Sequence, residues 1–491
     1  MSKMKRKQFL KKAGLGTGFI ALTPWLASCI SDNRLETGNF INKLPLPSEL
    51  RENSFDLSAS PAQVNLAGEL RLSGFRFNGS IPGPTIRHNR GDDVRIRFHN
   101  EIGQKSIIHW HGLIVPPAMD GHPRDVISSG TYNYQFRLNQ RAGTYWYHPH
   151  PHHITGEQVY RGLSGFYFIK DDEEEALNLP DGQYEIPLVI QDRKVNDSGE
   201  IVFNPTMPER MMTGLLGDLI LVNGVPAPYH EVEPGMYRLR ILNGSNARIY
   251  NIAFQNGAPF TVIGTDGGLL PKPIEASELL MAPGERADML VDFSDGFNDS
   301  VVQLISKSFE IPGGNGMMGM QNMMSSNSPG QGTGFTLLEF RISGKSERSP
   351  ISLPNKLSEA NFPEASGADQ TRPIRLAMEM MTGHTINGRL FEMERVDEQV
   401  KQGDIEIWEF INNSNVPHPM HVHAVQFKVL ERSGNRGLTP AETGWKDTVL
   451  VMPGETVRVI MKFDAQKGIY VFHCHNLEHE DNGMMANLEI V

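Results

Sequence analysis

Short stretches of alternating apolar and polar residues recur along this chain. Val94-Arg95-Ile96-Arg97-Phe98, Tyr237-Arg238-Leu239-Arg240-Ile241 and Ile405-Glu406-Ile407-Trp408-Glu409-Phe410 each have a period of two, which predicts a β-strand with one face on a core. The three stretches close on Asn100, Asn243 and Asn412. Each is preceded by a turn dipeptide (Asn78-Gly79, Asn223-Gly224, Asn387-Gly388) and a second turn at Gly91-Asp92, Pro234-Gly235 or Gly403-Asp404. A further turn repeats as Met281-Ala282-Pro283-Gly284-Glu285 and Val451-Met452-Pro453-Gly454-Glu455. Their shared order predicts one β-sandwich unit used three times, over residues 45–172, 180–345 and 370–491. The acidic run Asp171–Glu175 and the aperiodic, polar segment 344–372 serve as linkers. A length of 491 residues with 48 Gly and 32 Pro fits an all-β chain of several domains.

The closing asparagines also index the histidines. His109 and His111 fall nine and eleven residues after Asn100, and His421 and His423 fall at the same offsets from Asn412. The equivalent positions after Asn243 are Ile252 and Phe254. His148 and His150 stand five and seven residues after Gly143, as His473 and His475 do after Gly468. Residues two apart on a strand face one side, so each pair offers two imidazoles to one place. A lone His-x-His is as readily a partly exposed strand. Four pairs at repeated offsets instead predict a metal cluster between the first and third units, and eight imidazoles exceed what one zinc ion needs.

Strand alternation turns Cys474, between His473 and His475, to the opposite face. With His418, His479 and Met484 it completes two imidazoles, a thiolate and a weak thioether, the ligand set of a blue-copper electron-transfer site. An inert buried cysteine would leave the spacing of His479 and Met484 unexplained. The backbone of Cys474 then joins the two metal sites.

His109-Trp110-His111-Gly112, His148-Pro149-His150, His418-Pro419-Met420-His421-Val422-His423 and the segment from His473 to Met484 resemble the four copper motifs of the multicopper oxidases. Trp445-Lys446-Asp447-Thr448 and Leu477-Glu478-His479-Glu480-Asp481 are similar to stretches of the bacterial copper-efflux oxidases and laccases. The resemblance covers nearly all of the chain after residue 60. It implies three cupredoxin-like Greek-key β-sandwich domains, four copper ions, and one-electron oxidation of a donor coupled to reduction of O2 to water. By motif it assigns His418, Cys474, His479 and Met484 to the type 1 copper, and His109 and His421 to the type 2 copper. It gives His111, His148 and His475 to one type 3 copper, and His150, His423 and His473 to the other. Asp120 and Glu480 match acids to which the family assigns proton delivery. Equally, both could only orient histidines.

The donor is less legible. Cu(I), another metal ion, a phenol or an aromatic amine all fit a laccase-like or cuprous oxidase, and a role in copper tolerance follows from the first. Met317, Met318, Met320, Met323 and Met324 resemble a shortened methionine-rich segment of the efflux oxidases, but read equally as a flexible loop. Met207, Met211, Met212, Met378, Met380 and Met381 are similarly ambiguous. Ser414 and Val416 replace the acid and methionine with which the efflux oxidases bind substrate copper. His122, His152 and His153 have no assigned role beyond contacts to the copper ligands. Some cell-division relatives use the same fold without copper ligands, whereas this chain keeps the whole set. A non-catalytic, copper-sequestering periplasmic protein is the remaining alternative, suggested by 23 Met and 17 His.

The first 28 residues read as an export signal. Six basic and no acidic residues stand there, so the formal charge of −11 becomes −17 without them. Such acidity argues against nucleic acid as a partner. Arg6-Lys7-Gln8-Phe9-Leu10-Lys11 resembles a twin-arginine signal with lysine in the second arginine's place, and Leu26-Ala27-Ser28-Cys29 resembles a lipobox. The expectation is an exported monomer of the periplasm or cell envelope, tethered through lipidated Cys29 or released after an ordinary signal.

Overall fold

A computed structural model describes residues 39–65, 70–294, 300–312, 329–344, 353–379, 382–434 and 436–491. The expected export signal, Cys29, the stretch from Met317 to Met324, Met380 and Met381 lie outside them. Six sheets pair into three sandwiches. Each sandwich encloses its own apolar core, with Phe98, Trp110 and Tyr147 in the first, Leu239, Ile241 and Phe340 in the second, and Trp408, Phe427 and Phe472 in the third. No helix among the described residues is long and apolar enough to cross a membrane.

The repeat seen in sequence is a repeat of hydrogen bonds. Asn78, Asn223 and Asn387 take φ of 45°, 49° and 51°, followed by Gly79, Gly224 and Gly388 at 85°, 81° and 73°. Left-handed backbone at both positions is what a tight hairpin turn requires, and asparagine followed by glycine tolerates it best. Each asparagine Oδ1 also accepts a backbone N–H from a neighbouring strand, from Ser58, Val189 and Arg375 respectively. The strands Asp93–Asn100, Met236–Asn243 and Ile405–Asn412 end on three equivalent corners. There Asn100, Asn243 and Asn412 each donate through Nδ2 to two carbonyls and accept the N–H two residues on. Glu285 and Glu455 each accept the N–H three residues back, closing the repeated Pro-Gly-Glu turn.

Two expectations change. Arg238 and Arg240, the polar positions of the second alternating strand, are buried rather than solvated. The first domain packs over that face, and Glu174, Glu185 and Asp288 neutralise the guanidiniums at 2.5–3.3 Å. Glu174 belongs to the acidic run read as a linker. That run forms the short helix Asp172–Glu175, whose Asp171 side chain accepts from Glu174 N, and it drives one carboxylate into the interface. The units also exchange chain. Asn42–Lys43 adds a strand to the second sandwich, and Glu200–Ile201 adds one to the first.

Candidate metal centre

The four His-x-His pairs lie on paired strands. Ile108–His111 runs antiparallel to Gly143–Pro149, with His109 opposite His148. His418–Val422 runs antiparallel to Gly468–Cys474, with His421 opposite His473 and Met420 opposite Cys474. The first and third sandwiches bring these strands face to face. His111 stacks on His421, and His109 on His423, each with ring centroids 3.7 Å apart. All eight imidazoles are buried.

Ring nitrogens from different strands converge as ligands around a cation would. Nε2 of His473 stands 3.2 Å from Nε2 of both His150 and His423. Nε2 of His109 and of His421 are 3.4 Å apart, as are Nδ1 of His111 and Nε2 of His148. The donor atoms of His150, His423 and His473 form one group within 4.8 Å, and His109, His111 and His148 form another. His109, His421 and His423 form a third. His475 completes the ring of eight, 4.9 Å from His111 and 5.4 Å from His148 between centroids. Neither of its ring nitrogens is matched to a partner in another residue. Burial, with the neighbouring imidazoles, holds His109, His111, His150, His423 and His475 well below the usual histidine range. It holds His148 and His421 at about 3. The lone pairs are therefore free for a metal, and buried nitrogens without partners are satisfied by one.

In His109, His111, His148, His421, His423 and His473 the other nitrogen is fixed by the protein. His109 and His421 donate from Nδ1 to the carbonyls of Asp120 and Asp447, at 2.7 and 2.8 Å. His148 donates from Nδ1 to the Pro149 carbonyl, and His423 to the Asp120 carboxylate at 2.7 Å. His111 is reversed. Its Nε2 faces Asp447 Oδ1 at 3.0 Å, so Nδ1 is the free donor. Asp447 is held in turn by Arg286 of the second domain through two hydrogen bonds, at 2.5 and 2.8 Å. Glu480 places its carboxylate 3.1 Å from His473 Nδ1 and 3.6 Å from His150 Nε2.

Cys474 faces the other way, into the third domain's core. Its Sγ lies 3.4 Å from Nδ1 of His418 and 3.6 Å from Nδ1 of His479. The Nε2 atoms of these rings pair with Ser414 Oγ at 2.8 Å and the Met212 carbonyl at 3.0 Å. Ser414, a departure from the efflux-oxidase pattern, thus orients His418. The buried Met484 is joined to Cys474 and His479 through backbone hydrogen bonds. Burial pushes the Cys474 thiol up, so a bound cation must stabilise the thiolate. Nitrogen and sulfur donors in this arrangement suit copper.

Every ligand expected from sequence is at one of these two places. His122 pairs with Asn487, and His153 with the Asp481 carbonyl, outside both donor sets. Sequence reasoning missed Arg286, and quoted Asp447 without giving it a role. It also missed the bracing carboxylates Glu478, which accepts from Leu215 N and Asn246, and Asp481, which accepts from the N–H groups of Thr155 and Gly156. Only the charged run Leu477–Asp481 signalled the last two.

Three family models described as multicopper oxidase match residues 58–174, 157–300 and 367–491. The chain is 31% identical to a laccase of Bacillus subtilis over 92% of this chain and 98% of that protein. It is 32% identical to the cell division protein FtsP of Xenorhabdus nematophila, over 99% and 98%. The crystal structure of the multicopper oxidase McoA from Aquifex aeolicus superposes with a TM-score of 0.81 and 39% identity, covering 91% of this chain and 99% of that one. The retained ligand set and the named oxidases favour catalysis over copper sequestration. With its three cupredoxin-like domains and its convergent imidazoles and thiol, the chain belongs to the multicopper oxidase family and is a copper-dependent oxidoreductase that passes electrons from a donor to O2.

Proposed function

We propose that the protein holds four copper ions and oxidises a small donor, Cu(I) or another metal ion, a phenol or an aromatic amine. In this reading His418, Cys474, His479 and Met484 hold the type 1 copper, and His109 and His421 the type 2 copper. The type 3 pair is held by His111, His148 and His475, and by His150, His423 and His473. When bound, the coppers supply single-electron acceptance at one site and four-electron reduction of O2 at the other. The observation that carries this is Cys474, one peptide unit from both His473 and His475 but facing His418 and His479. That backbone is the shortest covalent route between the sites. His479 Nε2 donates to the Met212 carbonyl in the segment Glu209–Thr213, which fixes its ring with Nδ1 toward Cys474.

Glu480 and Asp120 each touch a histidine of the cluster in a site closed to bulk water, where O2 reduction consumes protons. Burial raises the Asp120 carboxyl well above the usual range, so it can carry a proton. An exported monomer of the periplasm or cell envelope, tethered through Cys29 and contributing to copper tolerance, fits the amino-terminal sequence. The test is to load purified protein with copper, count ions per chain, and follow O2 uptake with Cu(I), Fe(II) and a phenol in parallel. Four coppers bound without oxygen uptake from any donor would refute the assignment. Processing at Cys29 is read by the mass of the mature amino terminus.

A further inference from the structure

The strand Gly143–Pro149 has two faces. Tyr145 and Tyr147 turn into the core of the first domain. Thr144, Trp146 and His148 leave the other face, two residues apart, and form a line from the middle domain to the histidine cluster. Thr144 donates from Oγ1 to Asp288, and its carbonyl accepts from Arg286 Nε at 2.9 Å; both partners belong to the middle domain. Trp146 packs with Phe166, Phe168 and the middle domain's Val189 and Leu242.

Trp146 is 1% exposed and directly opposite His111 in the antiparallel pair of strands. Its ring centroid lies 4.2 Å from that of His148, 5.0 Å from that of His111 and 5.6 Å from that of His475. One indole thus borders all three imidazoles assigned to one type 3 copper. His475 is also met from a second direction. A Cβ built on Gly284, in the middle domain's Pro-Gly-Glu turn, would stand 3.0–3.1 Å from three atoms of the His475 ring. Such a spacing is well inside ordinary carbon contact. Neither ring nitrogen of His475 has a partner among the described residues, so packing against Gly284 and Trp146 sets its orientation. The middle domain reaches His111 as well, through Arg286 and Asp447.

The other trio has different neighbours. His150, His423 and His473 meet Glu480, Asp120 and the Cys474 carbonyl, all of the first and third domains. Among the described residues, no hydrogen bond or ring contact joins any of these three side chains to the middle domain.

We propose that Trp146 and Gly284 are positioning residues for one type 3 copper only, the one assigned to His111, His148 and His475. The inference rests on the ligand assignment above. Trp146 braces His148 and His111 against rotation, and the bare backbone at Gly284 leaves His475 room to face them. The middle domain has no ligand of its own, yet its docking shapes one half of the pair. Carboxylates of the outer domains shape the other half.

Gly284→Ala and Trp146→Leu test this, with Gly454→Ala as a matched control. Gly454 stands in the equivalent turn at φ +71°, against +84° for Gly284, and a Cβ there would meet nothing within 4 Å. It therefore carries comparable backbone strain with no histidine to displace. Copper-loaded proteins are dialysed against graded chelator, and copper is counted per chain. In Gly284→Ala and in Trp146→Leu the affinity for one of the four ions should fall about 10–100-fold. Losing one partner uncouples the type 3 pair. Its near-ultraviolet absorption should vanish, and the ion left behind should become visible by electron paramagnetic resonance. The blue absorption reports an intact Cys474 site throughout. Loss of both type 3 ions together, full retention in both variants, or an equal loss in Gly454→Ala would overturn the proposal. A wild type without a coupled pair would instead sink the four-copper assignment, and the proposal with it.

Discussion

Oδ1 of Asp447 lies 3.0 Å from Nε2 of His111. Alone among the cluster histidines described above, His111 is therefore held at Nε2 and offers Nδ1. The Asp447 carbonyl fixes His421 at the same time, so one residue sets the tautomers of ligands from two domains. Burial raises the Asp447 carboxyl, but Arg286 outweighs it and holds the group below the usual range. The middle domain contributes no ligand, yet it anchors the anion that orients two of them.

Asp447→Ala should accordingly lower copper affinity at the cluster about 10–100-fold. Copper counted per chain after dialysis against graded chelator measures this. Equal retention in variant and wild type would show that the two histidines hold their orientation without Asp447. Arg286→Lys, which keeps the charge but loses the two-pronged geometry, should give a smaller loss.

Cys474→Ser should abolish the blue thiolate absorption and leave the eight-imidazole cluster to bind its copper. Turnover should fall by at least about 10³-fold with any donor if the thiolate is the electron entry. Persistence of the blue colour would remove Cys474 from the type 1 site.

Glu480→Gln keeps the shape of a side chain 3.1 Å from His473 and removes its proton. The rate of O2 reduction at saturating donor should drop about 10²-fold or more, with copper content unchanged. A drop in copper content with little change in rate per bound copper would assign Glu480 to ligand orientation instead.

The buried cluster of Glu185 with Arg87, Arg238 and Arg240 should make stability acid-sensitive. Burial raises the Glu185 carboxyl, but the three guanidiniums outweigh it and leave it far below its ordinary value. A depressed folded pKa means that the stabilisation is fully present above about pH 4.5, the unfolded range, and is lost as pH falls from there through the folded value. Glu185→Gln should cost about 3 kcal/mol at pH 7. The difference in melting temperature from wild type should shrink between pH 4.5 and 3. A gap independent of pH would show that the cost lies in packing and not in charge.

The sequence alone determined the ligands, because a strand has a period of two. His-x-His must present both imidazoles to one side, and the cysteine inside His473-Cys474-His475 must face the other. The asparagine corners and Asn-Gly turns were legible for a similar reason, since their hydrogen bonds are local to each unit and repeat with it. Tertiary structure decided what depends on contacts between units. Arg238 and Arg240 alternate like solvated residues, and only the packing of the first domain makes them a buried charge cluster. Asp447 reaches His111 across 336 positions, and His384 reaches His479 by the return of a separate strand. No local period encodes such meetings, because they are fixed by how whole sheets stack. The ligand residues belong to the sequence, while the atoms that orient them belong to the fold.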